Sequence, residues 1–147
     1  MLFFTGFSRL SSEIQMETKS QLKDKTKQLL EMKTLVDEAE KVLVNKDRPI
    51  DEFGKLLDYS WSLKKQTGSK ISTDYIDVLY DKAKNAGALG GKLLGAGGGG
   101  FLLFYVPEER QEIIKEKLSD LLYVPFLFEN DGTDIIYYSP EEYPPIY

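Results

Sequence analysis

The chain has 147 residues, 41% of them hydrophobic and 29% charged, which is the composition and length of one ordinary globular domain. Its 19 Lys and Arg against 24 Asp and Glu leave a net charge of −5, which excludes a general nucleic-acid surface of clustered cations. It contains no cysteine and no histidine, so disulfide frameworks, Cys/His zinc sites, cysteine nucleophiles and histidine-based triads are all excluded within it.

No apolar run reaches the length of a bilayer span and no basic leader opens the chain. The expectation is a cytoplasmic protein that engages neither membrane nor nucleic acid. The first element is an apolar strand, Leu2 to Phe7, which starts at full strength as a cut piece of something longer would, or as a natural N-terminal strand tied into a sheet. Ser12 and Gln15 have capping-box spacing, and a long helix is expected from Ile14 to Val44. Leu22, Leu29, Val36 and Leu43 recur every seven residues, with Met32 and Ala39 between them, and predict one apolar helix face. Packing of that face within an intramolecular bundle is expected, with a coiled-coil dimer as the alternative.

Asn45 to Pro49 breaks this helix, and a second is predicted over Asp51 to Lys65, carrying Phe53, Leu56, Leu57, Trp61 and Lys64. Ser72 or Thr73 caps a third, with Ile76, Leu79, Tyr80 and Ala83 on its apolar face and Gly87 just past its end. Phe101 to Val106 is a continuous apolar run and predicts a central strand. Pro107 with Glu108 and Glu109 opens a fourth helix, with Ile113, Ile114, Leu118 and Leu121 facing inward. A strand over Tyr123 to Phe128 is expected at a sheet edge because of Pro125. A turn at Asn130 to Thr133 and a last strand over Ile135 to Tyr138 follow. The predicted class is α+β, a ferredoxin-like and mostly antiparallel sheet with additional packed helices, over residues 1–139. Residues 140–147, with three prolines, are expected as an irregular tail.

Gly90 to Gly100 carries the chemical message. Gly95, Gly97 and Gly100 match a dinucleotide fingerprint, but that pattern must open a helix, and a β-type run with Pro107 after it follows here. A phosphate loop needs Gly-Lys-Ser/Thr, and Phe101 stands after Gly100. The pattern that remains is a strand–loop–strand hairpin. Its glycines either let backbone N–H groups face a phosphate or a neighbouring loop, or simply make a tight turn.

Lys92-Leu93-Leu94-Gly95-Ala96-Gly97-Gly98-Gly99-Gly100-Phe101 resembles the third sequence motif of the GHMP kinases. Thr5-Gly6-Phe7-Ser8-Arg9, Trp61-Ser62-Leu63-Lys64, Gly87 to Lys92 and Gly132 to Tyr137 extend the likeness toward the D-glycero-D-manno-heptose 7-phosphate kinase branch. The resemblance covers nearly the whole chain but only the C-terminal half of such an enzyme. The family's Pro-x-x-x-Gly-Leu-Gly-Ser-Ser-Ala motif and its usual catalytic Asp, both in an N-terminal ATP-binding domain, do not occur here. Leu94 stands where family members often have Ser or Thr, which removes a hydroxyl.

The resemblance implies the C-terminal half of an ATP-dependent kinase of a sugar or sugar phosphate, with a heptose phosphate implied by the branch named. ATP and Mg²⁺ would serve the complete enzyme, and an N-terminal kinase domain, in the same polypeptide or as a separate subunit, would be the partner. The chain alone would be inactive and would bind neither cofactor tightly. Gly95, Ala96, Gly97, Gly98 and Gly99 would line the cleft and contact phosphate, with Arg9 and Lys92 the cations nearest a sugar phosphate. A side chain at Gly97 or Gly98 would block that approach, and Gly98→Val is expected to abolish activity while the domain stays folded. No catalytic base is assigned, since Asp51, Asp58 and Asp74 show no paired geometry. Trp61 and Lys64, one turn apart, either face the cleft or form a core tryptophan with a lysine stem laid over it. Two further alternatives remain: a freestanding binding or regulatory module that kept the fold without the chemistry, and a coiled-coil partner protein built on the Leu22 to Leu43 stripe.

Overall fold

Apolar runs separated by helices close into one sheet. The computed structural model describes residues 1–6, 16, 24–128, 130 and 132–138. Its strands are β1 (Leu2–Phe4), β2 (Gly90–Leu93), β3 (Phe101–Tyr105) and β4 (Leu122–Tyr123), arranged β2-β3-β1-β4 with every neighbouring pair antiparallel. The helices are α1 (Thr26–Val44), α2 (Asp51–Lys65), α3 (Asp74–Asn85) and α4 (Gln111–Lys117), the last entered through a 3₁₀ turn at Glu108–Arg110. The chain therefore runs strand, helices, strand, strand, helix, strand. That is the expected α+β, ferredoxin-like arrangement with extra helices between the first two strands.

Alternation along the strands selects the core face. Phe3, Leu93, Leu102 and Phe104 are buried and meet Ile76, Leu79, Tyr80 and Ala83 of α3 and Ile114 and Leu118 at α4. Each such side chain removed from water contributes roughly 1.5–3 kcal/mol before entropy is charged. Thr73 caps α3, its hydroxyl accepting from the Ile76 N–H at 3.3 Å.

Helix α2 runs beside β2 and comes unusually close to it. A β-carbon on Gly90 would lie 1.9 Å from the Gly54 carbonyl oxygen, so only glycine permits this contact. Further along, the Tyr80 hydroxyl donates to Asp58 at 2.5 Å and accepts from the Gly91 N–H at 3.1 Å, and Lys84 pairs with Asp58 at 3.0 Å. This group ties α2, α3 and β2 together, and it fixes where the end of α2 lies.

Three expectations need correction. The stripe on α1 holds only in part: Met32, Val36 and Ala39 face α2, but Val36 is still 66% and Leu43 58% exposed, whereas Val42, outside the stripe, is 2% exposed. Met32, Leu35, Val36 and Ala39 line a groove with Phe53, Leu56 and Leu57 of α2, so the packed face takes in part of the predicted stripe and is set by the position of α2. Leu22, Ser12 and Gln15 lie outside the described residues. The strand predicted over Tyr123 to Phe128 is only Leu122–Tyr123. The Val124 N–H still donates to the Leu2 carbonyl at 2.8 Å, but Pro125 has no N–H and pairing stops there. It does lie at the sheet edge, as Pro125 implied. Ile135 to Tyr138 form no strand, pair with none of β1 to β4 and are each at least 78% exposed. The tail, 140–147, lies outside the described residues. Among the described residues no helix is long and apolar enough to cross a membrane.

Candidate functional site

Strands β2 and β3 form the hairpin expected from the glycine pattern. The Leu94 N–H donates to the Phe101 carbonyl at 2.8 Å, closing a loop of residues 95–100. Three elements anchor this loop. From the end of β1, Thr5 is buried; its hydroxyl donates to the Gly100 carbonyl at 2.9 Å and accepts from the Gly100 N–H at 3.1 Å. Its own N–H donates to the same carbonyl at 2.8 Å. From the segment before α3, the Ile71 carbonyl accepts the Gly98 N–H at 3.0 Å. From the last turn of α2, the Lys64 ammonium donates to the Gly95 carbonyl at 2.7 Å.

These anchors divide the glycines by task. Gly97 has φ +120, and a β-carbon there would lie 2.7 Å from the Ile71 oxygen and 2.8 Å from its Cα. What a side chain at Gly97 would strike is this chain's own backbone. Substitution there costs folding, so a loss of activity at Gly97 would not by itself report a blocked approach to phosphate. The Gly98 N–H is already spent on Ile71. Among the described residues, the N–H groups of Gly95, Ala96, Gly97 and Gly99 have no acceptor.

The cations complete the geometry. Lys92 is on β2, three residues before the loop, and is half-buried. Lys64 lies with its ammonium 5.9 Å from the centre of the Trp61 ring. Trp61 is a core residue, 1% exposed, and so both readings of this pair hold in part: the ring is core, and the lysine laid across it reaches the loop. Burial and then the nearby Lys92 charge push the Lys64 ammonium down to about 8. Arg9 lies outside the described residues.

Sequence reasoning placed Lys92 and Gly95 to Gly99 together, and the structure brings them into one loop mouth. It weighed Lys64, with Trp61, as facing the cleft, and did not identify Thr5 and Ile71 as the loop's anchors. The i, i+3 spacing of Trp61 and Lys64 near a helix end was the available signal for the first. The other two are long-range backbone contacts that no local pattern announces.

Amides and ammonium groups suit phosphate oxygens and do not suit a metal ion. Among the described residues no group of three or more acidic, His or Cys side chains is placed to hold a metal. Asp51 accepts from the Tyr105 hydroxyl at 2.9 Å, and Asp58 is held by Tyr80 and Lys84, so both carboxylates are occupied in packing the fold.

A family model described as GHMP kinases C terminal matches residues 35–124. The D-glycero-alpha-D-manno-heptose 7-phosphate kinase of Campylobacter jejuni is 34% identical over 137 residues, which is 90% of this chain and 40% of that protein. A mevalonate kinase of Thermococcus gammatolerans is 34% identical over 58% of this chain and 26% of its own length. Among solved structures, the Methanococcus jannaschii mevalonate kinase superposes with a TM-score of 0.67 at 27% identity, covering 81% of this chain and 35% of that one. The chain thus spans well under half the length of these relatives.

Proposed function

The chain belongs to the GHMP kinase family, matching its C-terminal domain, and on that premise we propose that it is the C-terminal part of an ATP-dependent kinase acting on a sugar phosphate, with a heptose phosphate as acceptor. The carrying observation is the loop of residues 95–100, which presents four unpaired N–H groups beside two lysines. Phosphoryl transfer depends mainly on positioning and on charge stabilisation around the moving group. Preorganised amides supply that without side-chain ordering. Gly95, Ala96 and Gly99 contact phosphate oxygens through their N–H groups, Gly97 and Gly98 hold the loop in shape, and Lys92 adds positive charge. Arg9 follows β1, whose end is bonded to Gly100, and is proposed as a further cation of the same cleft.

An N-terminal domain, in the same polypeptide or as a separate subunit, supplies the nucleotide site, the Mg²⁺ ligands and the catalytic base. The relatives' greater length supports that partner. ATP as donor makes the cytoplasm the proposed place of work. The 34% identity to a heptose 7-phosphate kinase over 90% of the chain supports the acceptor class, since the mevalonate kinase matches over only 58%.

The test is a coupled ADP-release assay on this chain together with the N-terminal half encoded with it, given ATP, Mg²⁺ and in turn a heptose 7-phosphate, mevalonate and fucose. Turnover with the heptose phosphate well above the other two is the expected result. Turnover with none of them sinks the proposal. A preference for mevalonate or fucose keeps the kinase and overturns the acceptor.

A further inference from the structure

We propose that Lys64 is a positioning residue of the glycine loop: by holding the Gly95 carbonyl, its ammonium sets which way the Gly95–Ala96 peptide is turned and keeps the Ala96 N–H on the side away from α2, free for a ligand. This rests on the kinase reading above, in which that N–H is one of the phosphate contacts, and adds what orients it.

The first observation is where the loop is held. The Leu94 N–H bonds Phe101, the Gly98 N–H bonds Ile71 and Gly100 bonds Thr5, so the loop is tied at its start and along its second half. Residues 95–97 lie between those ties. Among the described residues, the hydrogen bond they make is the one from the Lys64 ammonium to the Gly95 carbonyl, at 2.7 Å. The packing of Gly97 against the Ile71 backbone limits side chains there and leaves the preceding peptide to Lys64.

The second is the freedom that this bond removes. Gly95 has φ +77, and a β-carbon there would meet nothing within 4 Å. Neither a side chain nor a close neighbour therefore restrains the rotation of the peptide that follows it. In a planar trans peptide the carbonyl and the next N–H point in opposite directions. A hydrogen bond to the Gly95 oxygen thus also fixes the Ala96 N–H, on the far side from the ammonium. The turned peptide would set that N–H against the ammonium, donor against donor. Lys64 favours one orientation and opposes the other.

The third is that Lys64 is itself held. It leaves α2 between two buried residues, Trp61 and Leu63, and its ammonium lies 5.9 Å from the centre of the Trp61 ring. The buried Thr67 hydroxyl donates to the Lys64 carbonyl at 2.7 Å, which fixes the backbone from which the side chain starts. A long side chain so placed is ordered before any ligand arrives. Burial lowers the ammonium to about 8, so it is charged at neutral pH, and water competes less for its bond to the carbonyl. Lys92 of β2 is the other charged group acting on it.

NMR on this chain, with no ligand and no turnover, reads the orientation through the Overhauser effect between the Gly95 Hα and the Ala96 N–H, which reports the rotation of that peptide. One orientation is expected in the unmutated chain. Lys64→Met, which keeps the apolar stem, should give a mixture, with the Gly98 and Gly100 N–H signals in place, and Lys64→Arg should restore the single orientation. The same pattern in Lys64→Met as in the unmutated chain overturns the proposal, and would leave Lys64 only a direct ligand contact or a packing role. Should Lys64→Met lose the Gly98 and Gly100 signals, the unmutated chain decides: the Gly95 carbonyl carbon should shift with pH about a midpoint near 8, and a flat profile overturns the proposal. Kinetics on the enzyme completed by its N-terminal half then test the consequence. Its kcat/KM for a heptose 7-phosphate should fall about 10- to 100-fold in Lys64→Met, as for loss of a hydrogen bond to a charged group, and recover in Lys64→Arg. An undiminished kcat/KM in a variant whose peptide has turned overturns the positioning role. An enzyme that turns over no acceptor removes the kinase reading, and the Overhauser pattern alone then supports or overturns the hold of Lys64 on the loop.

Discussion

Gly97→Ala is expected to destabilise the domain far more than Gly95→Ala, although both residues belong to the same loop. An alanine β-carbon at 97 would sit 2.7 Å from the Ile71 oxygen and 2.8 Å from the Ile71 Cα. Both obstacles are backbone, so no rotamer change removes the clash. Its φ of +120 also lies outside the left-handed well that other residues visit. Overpacking of about 1–3 kcal/mol adds to backbone strain of about 1–3 kcal/mol, for a total of roughly 2–6 kcal/mol. At Gly95, φ is +77 and nothing lies within 4 Å of the added carbon, so only the left-handed penalty of about 1–2 kcal/mol remains. Equilibrium urea unfolding followed by fluorescence of Trp61, the one tryptophan and a buried one, measures both variants. Equal losses, or a Gly97→Ala loss under about 1 kcal/mol, would refute the packing argument.

Three further outcomes are expected. Thr5→Val removes the hydroxyl that holds Gly100 and leaves its N–H without that acceptor, costing about 1–3 kcal/mol in urea unfolding, whereas Thr5→Ser stays near wild type. A valine variant as stable as the serine one would contradict the anchor. Tyr80→Phe leaves the Gly91 N–H and Asp58 without their shared hydroxyl, costing about 1–3 kcal/mol and accelerating amide exchange at Gly91; unchanged exchange would count against it. Phosphate affinity should fall as pH rises through about 8, because Lys64 is charged below that point and neutral above it, and Lys92 is the charged neighbour acting on it. Binding by calorimetry at pH 7 and pH 9 checks this, with proton uptake at the higher pH; equal affinity at both would remove Lys64 from the site.

Much of the fold was legible because local signals and tertiary packing agreed. The bounds of α2 follow from Pro49 before it and Thr67-Gly68 after it, and the structure gives Asp51–Lys65. The apolar positions of α3 at Ile76, Leu79, Tyr80 and Ala83 are all buried, because an isolated amphipathic face has one way to meet a sheet. Legibility failed where a partner decided the outcome. The face of α1 depends on where α2 lies, and α2 is placed by the Gly54–Gly90 contact, which joins residues on different elements. Ile135 to Tyr138 carry strand propensity but pair with none of the four strands and stay exposed.

The glycine loop shows why a motif read from sequence divides once it is folded. Four consecutive glycines look like one requirement, yet the structure assigns them different ones. Gly97 is required by the Ile71 backbone beside it, Gly98 spends its N–H on the same residue, and Gly100 is held by Thr5. The unpaired N–H groups belong to Gly95, Ala96, Gly97 and Gly99, which flank or interrupt the two hydrogen bonds made by Gly98 and Gly100. Fixing the loop through Gly97, Gly98 and Gly100 is what allows the free N–H groups to stand ready without the entropy cost of ordering them on binding. A pattern dense in glycine therefore reports a rigid loop first. Its chemistry must be read from the amides left over, and from Lys64 and Lys92 beside them.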